Sequence, residues 1–185
     1  MVMKLNFTKL KPNHEDFRKV KQLYMRAFPD EERAPFLMLV LKAKKKGVDF
    51  WTIRCDGQWA GMLYIVSHRD LSYIFYLAVS EECRGRGIGS AILQSAQKLY
   101  KGRRLFLAIE ELDSDAENYT ERLNRRKFYL RNGFSELHRK LREGNVTFEI
   151  MGTGGDVKAC EYEALMKGYA GSILSKLFTM EFVDQ

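Results

Sequence analysis

The sequence predicts a mixed α/β chain: a mostly antiparallel sheet with one parallel pair near its centre, flanked by helices and followed by a C-terminal helical stretch. Three observations lead there. The run Tyr73 to Val79 is almost wholly aliphatic and aromatic, as in a strand buried on both faces, and a glycine-rich turn then opens a segment with Ile88, Ile92, Ala96 and Leu99 at helical spacing. A further strand-like run, Arg103 to Glu110, follows Gly102, and strand, helix, strand in that order implies a parallel pair with a right-handed crossover. Hairpin signals at Asp56-Gly57 and around Glu143-Gly144-Asn145 supply antiparallel neighbours upstream and downstream.

The other elements follow in order. Leu5 to Leu10 reads as a first strand, and Asn13 is the expected N-cap ahead of Glu15 and Asp16, which suit a first helical turn. Phe17, Val20, Tyr24 and Ala27 make one face of that helix. The segment Phe28 to Pro35 breaks it, and Pro35 opens a second helix carrying Phe36, Leu39, Val40 and Ala43 that should stop at Gly47. Strands near Val48 to Arg54 and Gln58 to Ser67 flank Asp56-Gly57, and His68-Arg69-Asp70 turns into the buried strand. A helix from about Thr120 to Arg131 ends at Asn132-Gly133. Phe134 to Leu141 and Val146 to Met151 form the closing hairpin. Residues 1–152 are therefore expected to form one domain. Residues 153–185 form a helical extension packed on it, with helical spacing from Ala159 to Phe178 (Tyr162, Leu165, Met166 and Tyr169, then Ile173, Leu174 and Leu177) that Gly168 and Gly171 split into two short helices.

Composition narrows the class of molecule. A chain of 185 residues can bury about 70% of its unfolded surface without metal or disulfide staples. No apolar run approaches the roughly 20 residues of a membrane span, and the N-terminus lacks a signal peptide's apolar core, so a cytoplasmic protein without membrane contact is expected. Cys55, Cys83 and Cys160 have no paired spacing, and free thiols with no metal site are the expectation. The net charge of +7 invites a nucleic-acid reading. The densest basic run, Lys42 to Lys46, sits where a helix C-terminus favours lysine, and no recognition-helix, RNA-binding sheet or zinc-finger signature accompanies it. Nucleic acid is accordingly not the expected ligand.

The glycine-rich turn carries the chemistry. Gly85, Gly87 and Gly89 stand where a buried strand runs into a helix, so left-handed backbone and a helix N-terminus with unpaired N–H groups can meet a phosphate, and Arg84 and Arg86 add fixed charge. The turn is neither a Walker A loop, because no lysine follows Gly89, nor a dinucleotide loop, because its glycines alternate. Arg84-Gly85-Arg86-Gly87-Ile88-Gly89 resembles the Arg/Gln-x-x-Gly-x-Gly/Ala pyrophosphate loop of the GNAT superfamily of acyl-CoA N-acyltransferases. Phe128-Tyr129-Leu130-Arg131-Asn132-Gly133-Phe134 resembles that family's Phe-Tyr-x-x-x-Gly-Phe segment. The resemblance spans roughly Met3 to Met151 and is thin outside these two motifs.

That resemblance implies a site and an activity. Acetyl-CoA would be the co-substrate, its pyrophosphate held by Arg84, Gly85, Arg86, Gly87, Ile88, Gly89 and Ser90, and its pantetheine arm by backbone of Leu77, Ala78 and Val79. Tyr129 resembles the family's general acid toward the leaving thiol. Glu110, at the end of its strand, is the best-placed carboxylate for a general base, with the alternative that Glu110 and Glu111 form a solvated turn. The family's asparagine near the pantetheine has two candidates, Asn118 and Asn124, of which Asn118 is favoured. Asp30, Glu31 and Glu32 lie where the family shapes its acceptor site, so Glu31 and Glu32 are candidates to hold a cationic amine, against a solvated charge run. The implied reaction is direct acetyl transfer to a primary amine of a small molecule or protein. The competing reading is an acyl-CoA-binding sensor or interaction module with weak or no catalysis. The C-terminal extension is a candidate for a sheet-edge cover, an acceptor-cleft cap or a homodimer contact.

Overall fold

A computed structural model describes residues 3–143, 146–171 and 180–183, with the side chains of Glu31, Glu143 and 180–183 outside that description. The chain divides into two compact units, Met1–Val66 with Ile74–Leu99, and Ser67–Tyr73 with Tyr100–Gln185.

In the first unit, β1 (Leu5–Lys9), β2 (Val48–Cys55) and β3 (Gln58–His68) pair antiparallel, and β4 (Leu71–Val79) follows β3 in the strand order. Asp56 (φ 50°) and Gly57 (φ 83°) are both left-handed, as a two-residue hairpin turn of this twist requires. Helices α1 (Phe17–Ala27) and α2 (Phe36–Lys42) cover an aromatic core joined by edge-on contacts: Tyr24 to Tyr76 at 5.0 Å, Phe28 to Tyr76 at 4.8 Å, Phe50 to Tyr64 at 5.0 Å. Helix α1 starts three residues later than Asn13 would set it, because the Asp16 carboxylate is buried and engaged elsewhere, by Arg54 at 2.8 and 3.1 Å and by the Thr52 hydroxyl at 3.3 Å. Helix α2 ends at Lys42 rather than at Gly47. Turns closed by Lys44 N–H to the Leu41 carbonyl and Lys45 N–H to that of Lys42 carry the chain the rest of the way. Helix α3 (Ile88–Leu99) buries Ile88, Ile92, Leu93 and Ala96, while Leu99 is 53% exposed and does not belong to the expected apolar face.

In the second unit the start of β4 pairs with β5 (Arg104–Glu110) in parallel, Leu71 opposite Arg104 and Tyr73 opposite Phe106. β7 (Val146–Thr153), β6 (Ser135–Glu143) and β8 (Met180–Val183) extend the sheet in the order β5-β7-β6-β8, each pairing antiparallel. The fold is thus the expected mixed sheet, mostly antiparallel with one parallel pair. The Tyr73 and Phe106 rings stack at 4.5 Å, and Tyr162 of α5 (Ala159–Ala170) meets both edge-on at 6.0 and 6.2 Å. Gly168 does not split the C-terminal helix: α5 runs through it and ends at Gly171, whose φ of 81° suits a helix terminator. The chain returns at β8 as a strand rather than a helix; Ile173, Leu174 and Leu177, like Gly144 and Asn145, lie outside the described residues. Helix α4 (Tyr119–Arg131) ends before Gly133, at φ 82°, as its Asn-Gly terminator predicts. No described helix is long and apolar enough to cross a membrane.

Candidate active site

The glycine turn lies in the first unit and has the geometry of an anion cradle. Gly85 and Gly87 adopt φ of 71° and 76°, conformations that cost an L-residue about 1–2 kcal/mol. A Cβ at Gly85 would meet nothing within 4 Å, and one at Gly87 only the Met3 methyl at 3.6 Å, so the space over the turn is open. The first bond into α3 runs from Ala91 N–H to the Gly87 carbonyl at 3.0 Å, which leaves the N–H groups of Ile88, Gly89 and Ser90 without an intrahelical acceptor. Arg84 turns back, its Nε donating to the Val79 carbonyl at 3.3 Å, and Arg86 is exposed. Pyrophosphate fits this set of donors: several amides at a helix start and a guanidinium.

The strand feeding the turn is held from beside it. Gly61 of β3 sits so close to β4 that a Cβ would lie 2.2 Å from the Ala78 carbonyl oxygen and 3.1 Å from Val79 Cα. Ser80 N–H donates to the Ala60 carbonyl at 2.9 Å. Ala60 is the extra residue of a bulge, since Ile53 pairs with Gly61 and Arg54 with Trp59. Sequence reasoning did not find this support for Leu77, Ala78 and Val79, although an isolated glycine in a strand is the known signal of close backbone approach. Cys83, beside the turn, is buried with its thiol toward the Trp59 carbonyl at 3.7 Å.

Acidic residues between α1 and α2 form a short 3₁₀ turn, Asp30–Glu32. Asp30 pairs with Arg33, and the Tyr76 hydroxyl donates to the Glu32 carbonyl at 3.0 Å. Glu32 is half-buried; the Glu31 side chain lies outside the described residues.

The second unit brings Glu110 and Asn118 together, and Arg125, which pairs with Glu110, also acts on Tyr129. Both Glu110 oxygens are taken: Oε1 by Arg122 at 3.1 Å and by the Asn118 amide at 3.3 Å, Oε2 by Arg125 at 2.9 Å. Asn118 in turn accepts from Arg122 Nε at 2.7 Å, so both ends of its amide are engaged, whereas Asn124 is exposed. Both Glu110 oxygens are thus engaged in holding β5 to α4. Arg122 and Arg125 were not among the expected site residues; the four-residue spacing from Asn118 to Arg122 was the available signal. Tyr129 packs edge-on against Phe128 and Phe134 at 5.2 and 5.7 Å. The residue is half-buried, yet its phenol end is enclosed, and that burial pushes its pKa up to about 12 despite the nearby Arg125 charge. Among the described residues no group of three or more His, Cys, Asp or Glu side chains could hold a metal ion.

The model of the acetyltransferase (GNAT) domain matches residues 46–136. Among solved structures, a protein described as a GNAT-family acetyltransferase from Bacteroides thetaiotaomicron aligns with TM-score 0.68 and 20% identity, over 86% of this chain and 92% of its own. The ribosomal-protein-S18-alanine N-acetyltransferase from Escherichia coli aligns with TM-score 0.58 and 15% identity, over 84% and 97%. The PaiA N-acetyltransferase from Thermoplasma acidophilum, solved in complex with coenzyme A, aligns with TM-score 0.52 and 17% identity, over 81% and 98%. No curated protein sequence matches the chain. Likeness at these identities speaks to the fold, and the acceptor named for one such protein does not transfer with it.

Proposed function

Because this chain belongs to the GNAT superfamily of acyl-CoA N-acyltransferases, we propose that it is an acetyl-CoA-dependent N-acetyltransferase that passes the acetyl group directly to a primary amine of a small molecule or protein. The turn 84–90 carries this reading, with two left-handed glycines, three unpaired amides at the start of α3 and open space above them. Residues 1–152 would form the catalytic domain and 153–185 an extension of it.

Acetyl-CoA would supply an activated thioester. The N–H groups of Ile88, Gly89 and Ser90 and the Arg86 guanidinium hold its pyrophosphate, while Arg84, tied to the Val79 carbonyl, braces the strand end. Backbone of Leu77, Ala78 and Val79 takes the pantetheine arm. Tyr129 stays protonated at every physiological pH. A phenol at about 12 holds its proton more tightly than a thiol at about 8.5, so complete transfer to a departing thiolate runs uphill. Tyr129 therefore serves by donating a hydrogen bond to the sulfur as charge develops there, and the proton that ends on the thiol comes from the acylated ammonium. Glu110 and Asn118, locked with Arg122 and Arg125, position the end of β5 against α4. Glu31 and Glu32 are assigned to the cationic acceptor by their place in the chain between α1 and α2. Replacing Tyr129 by Phe is expected to lower kcat about 10- to 100-fold with coenzyme A affinity unchanged; unaltered turnover removes the residue from the mechanism.

One observation favours a second reading. Both oxygens of Glu110, the carboxylate the sequence offers as a base, are engaged by Arg122, Arg125 and Asn118, as expected of an acyl-CoA sensor with little catalysis. Transfer to any member of an amine panel decides for the enzyme.

The test is a thermal-shift titration with acetyl-CoA, coenzyme A, ATP and NAD. Stabilisation by the two CoA species alone is expected, and Gly87→Trp, which puts bulk into the cradle at φ 76°, should abolish it. No shift with either CoA species overturns both readings.

A further inference from the structure

The first unit holds a groove of about 570 Å³ that, Arg86 aside, the donor reading does not use, within the range of small-molecule sites. One wall is the face of α1 that carries Lys19 and Arg26, seven residues and two helical turns apart. The other is the segment Ser80 to Cys83 with Arg86. Two features set it apart from ordinary surface. Ser80 lines it, 3% exposed, and among the described residues its hydroxyl is a buried side-chain polar atom with no hydrogen-bond partner. Such a group costs free energy in the folded chain until something supplies its bond.

The second feature is charge held apart. Lys19, Arg26 and Arg86 line the groove together with Glu81 and Glu82, all five exposed, and among the described residues none of them pairs with another. Lys19 instead lies over the Trp59 ring, 6.0 Å from its centre. Arg54, at the far end, is already neutralised by Asp16 and Glu15. Three cations facing two carboxylates leave one positive charge in surplus. The complement is a ligand with one ammonium and two negative charges.

We propose that this groove binds a small amino acid-type zwitterion of that charge, an amino dicarboxylate or an aminoalkyl phosphate. Its acid groups lie against Lys19, Arg26 and Arg86, its ammonium lies against Glu81 and Glu82, and the Ser80 hydroxyl bonds to it. The site shares only Arg86 with the donor reading; Lys19, Arg26, Glu81, Glu82 and Ser80 have no part in that reading.

Thermal shift tests this with L-glutamate and phosphoethanolamine as the two sources of the chemistry, and with inorganic phosphate, ethanolamine and sodium chloride at equal ionic strength as controls. One of the two zwitterions is expected to raise the Tm, with neither half doing so. The double variant Lys19→Ala/Arg26→Ala should weaken the apparent affinity at least tenfold. Ser80→Ala should raise the Tm of the free protein by about 2–4 °C, since it removes an unpaired buried hydroxyl, and should reduce the ligand-induced shift. A shift produced equally by inorganic phosphate overturns the zwitterion. The proposal also fails if no probe shifts the Tm, or if the shift survives unchanged in the double variant.

Discussion

Gly61→Ala is expected to cost the protein about 1–3 kcal/mol of stability and, in the same step, most of its affinity for coenzyme A. The new methyl would stand 2.2 Å from the Ala78 carbonyl oxygen, 3.1 Å from Val79 Cα and 3.2 Å from the Ala78 carbonyl carbon. All three are backbone atoms, so no side-chain rotation relieves the overlap. A carbon and a carbonyl oxygen settle no closer than about 3.3 Å. The end of β4 must therefore move by about 1 Å, and Ala78 and Val79 are the residues proposed to carry the pantetheine arm. A displacement of that size at a positioning element costs about 100-fold in rate. Thermal denaturation and a coenzyme A titration on the same preparation check both halves. A variant with unchanged Tm shows that β3 yields in place of β4. One that is destabilised but binds coenzyme A normally separates the strand end from the donor site.

Much of this architecture could be read from local signals, and the parts that could not share a physical cause. The Asp56-Gly57 hairpin, the strand–turn–helix unit and the Asn132-Gly133 terminator are each specified within a few consecutive residues, by backbone conformations that few residue types adopt. Each stands where the sequence places it. The start of α1 was misplaced because Asp16 answers to Arg54 and Thr52, more than thirty residues away, and such a pairing leaves no local trace. The same holds for the jump in β6. Its pairing with β7 goes from Glu136 opposite Met151 to Lys140 opposite Glu149, which puts Leu137, His138 and Arg139 against a single residue and His138 at φ 52°. A histidine gives no warning of positive φ, as a glycine would. At the candidate site the division is similar. The backbone of the glycine turn is a local motif and was legible, whereas Glu110 reads as a free terminal carboxylate until the fold sets Arg122 and Arg125 beside it.

Removing Arg126 is expected to destabilise the second unit through two strands at once. Its Nε donates to Glu136 at 2.7 Å and its terminal nitrogen to Glu149 at 2.5 Å, so one guanidinium of α4 fastens both β6 and β7. The side chain is 16% exposed and its partners are 34% and 21% exposed. In Arg126→Ala two carboxylates lose their counter-charge in partly desolvated positions. That penalty reaches about 3–5 kcal/mol for fully buried pairs and is nearer 2 kcal/mol with this much solvent access. Arg126→Lys keeps the charge but not the fork that reaches two carboxylates at once, and should recover less than half of the loss. The pH dependence gives the signature. The Arg126 hydrogen bond holds the Glu136 carboxyl below its ordinary pKa, with Arg126 and His138 charge adding to the effect. A depressed folded-state pKa contributes stability that is complete above the unfolded value, near 4.3, and is lost as pH falls through the folded one. Denaturation of wild type and Arg126→Ala should therefore differ most at neutral pH and converge on acidification below about pH 4. A difference that stays constant down to pH 2 would assign the loss to packing of the arginine stem rather than to its charge.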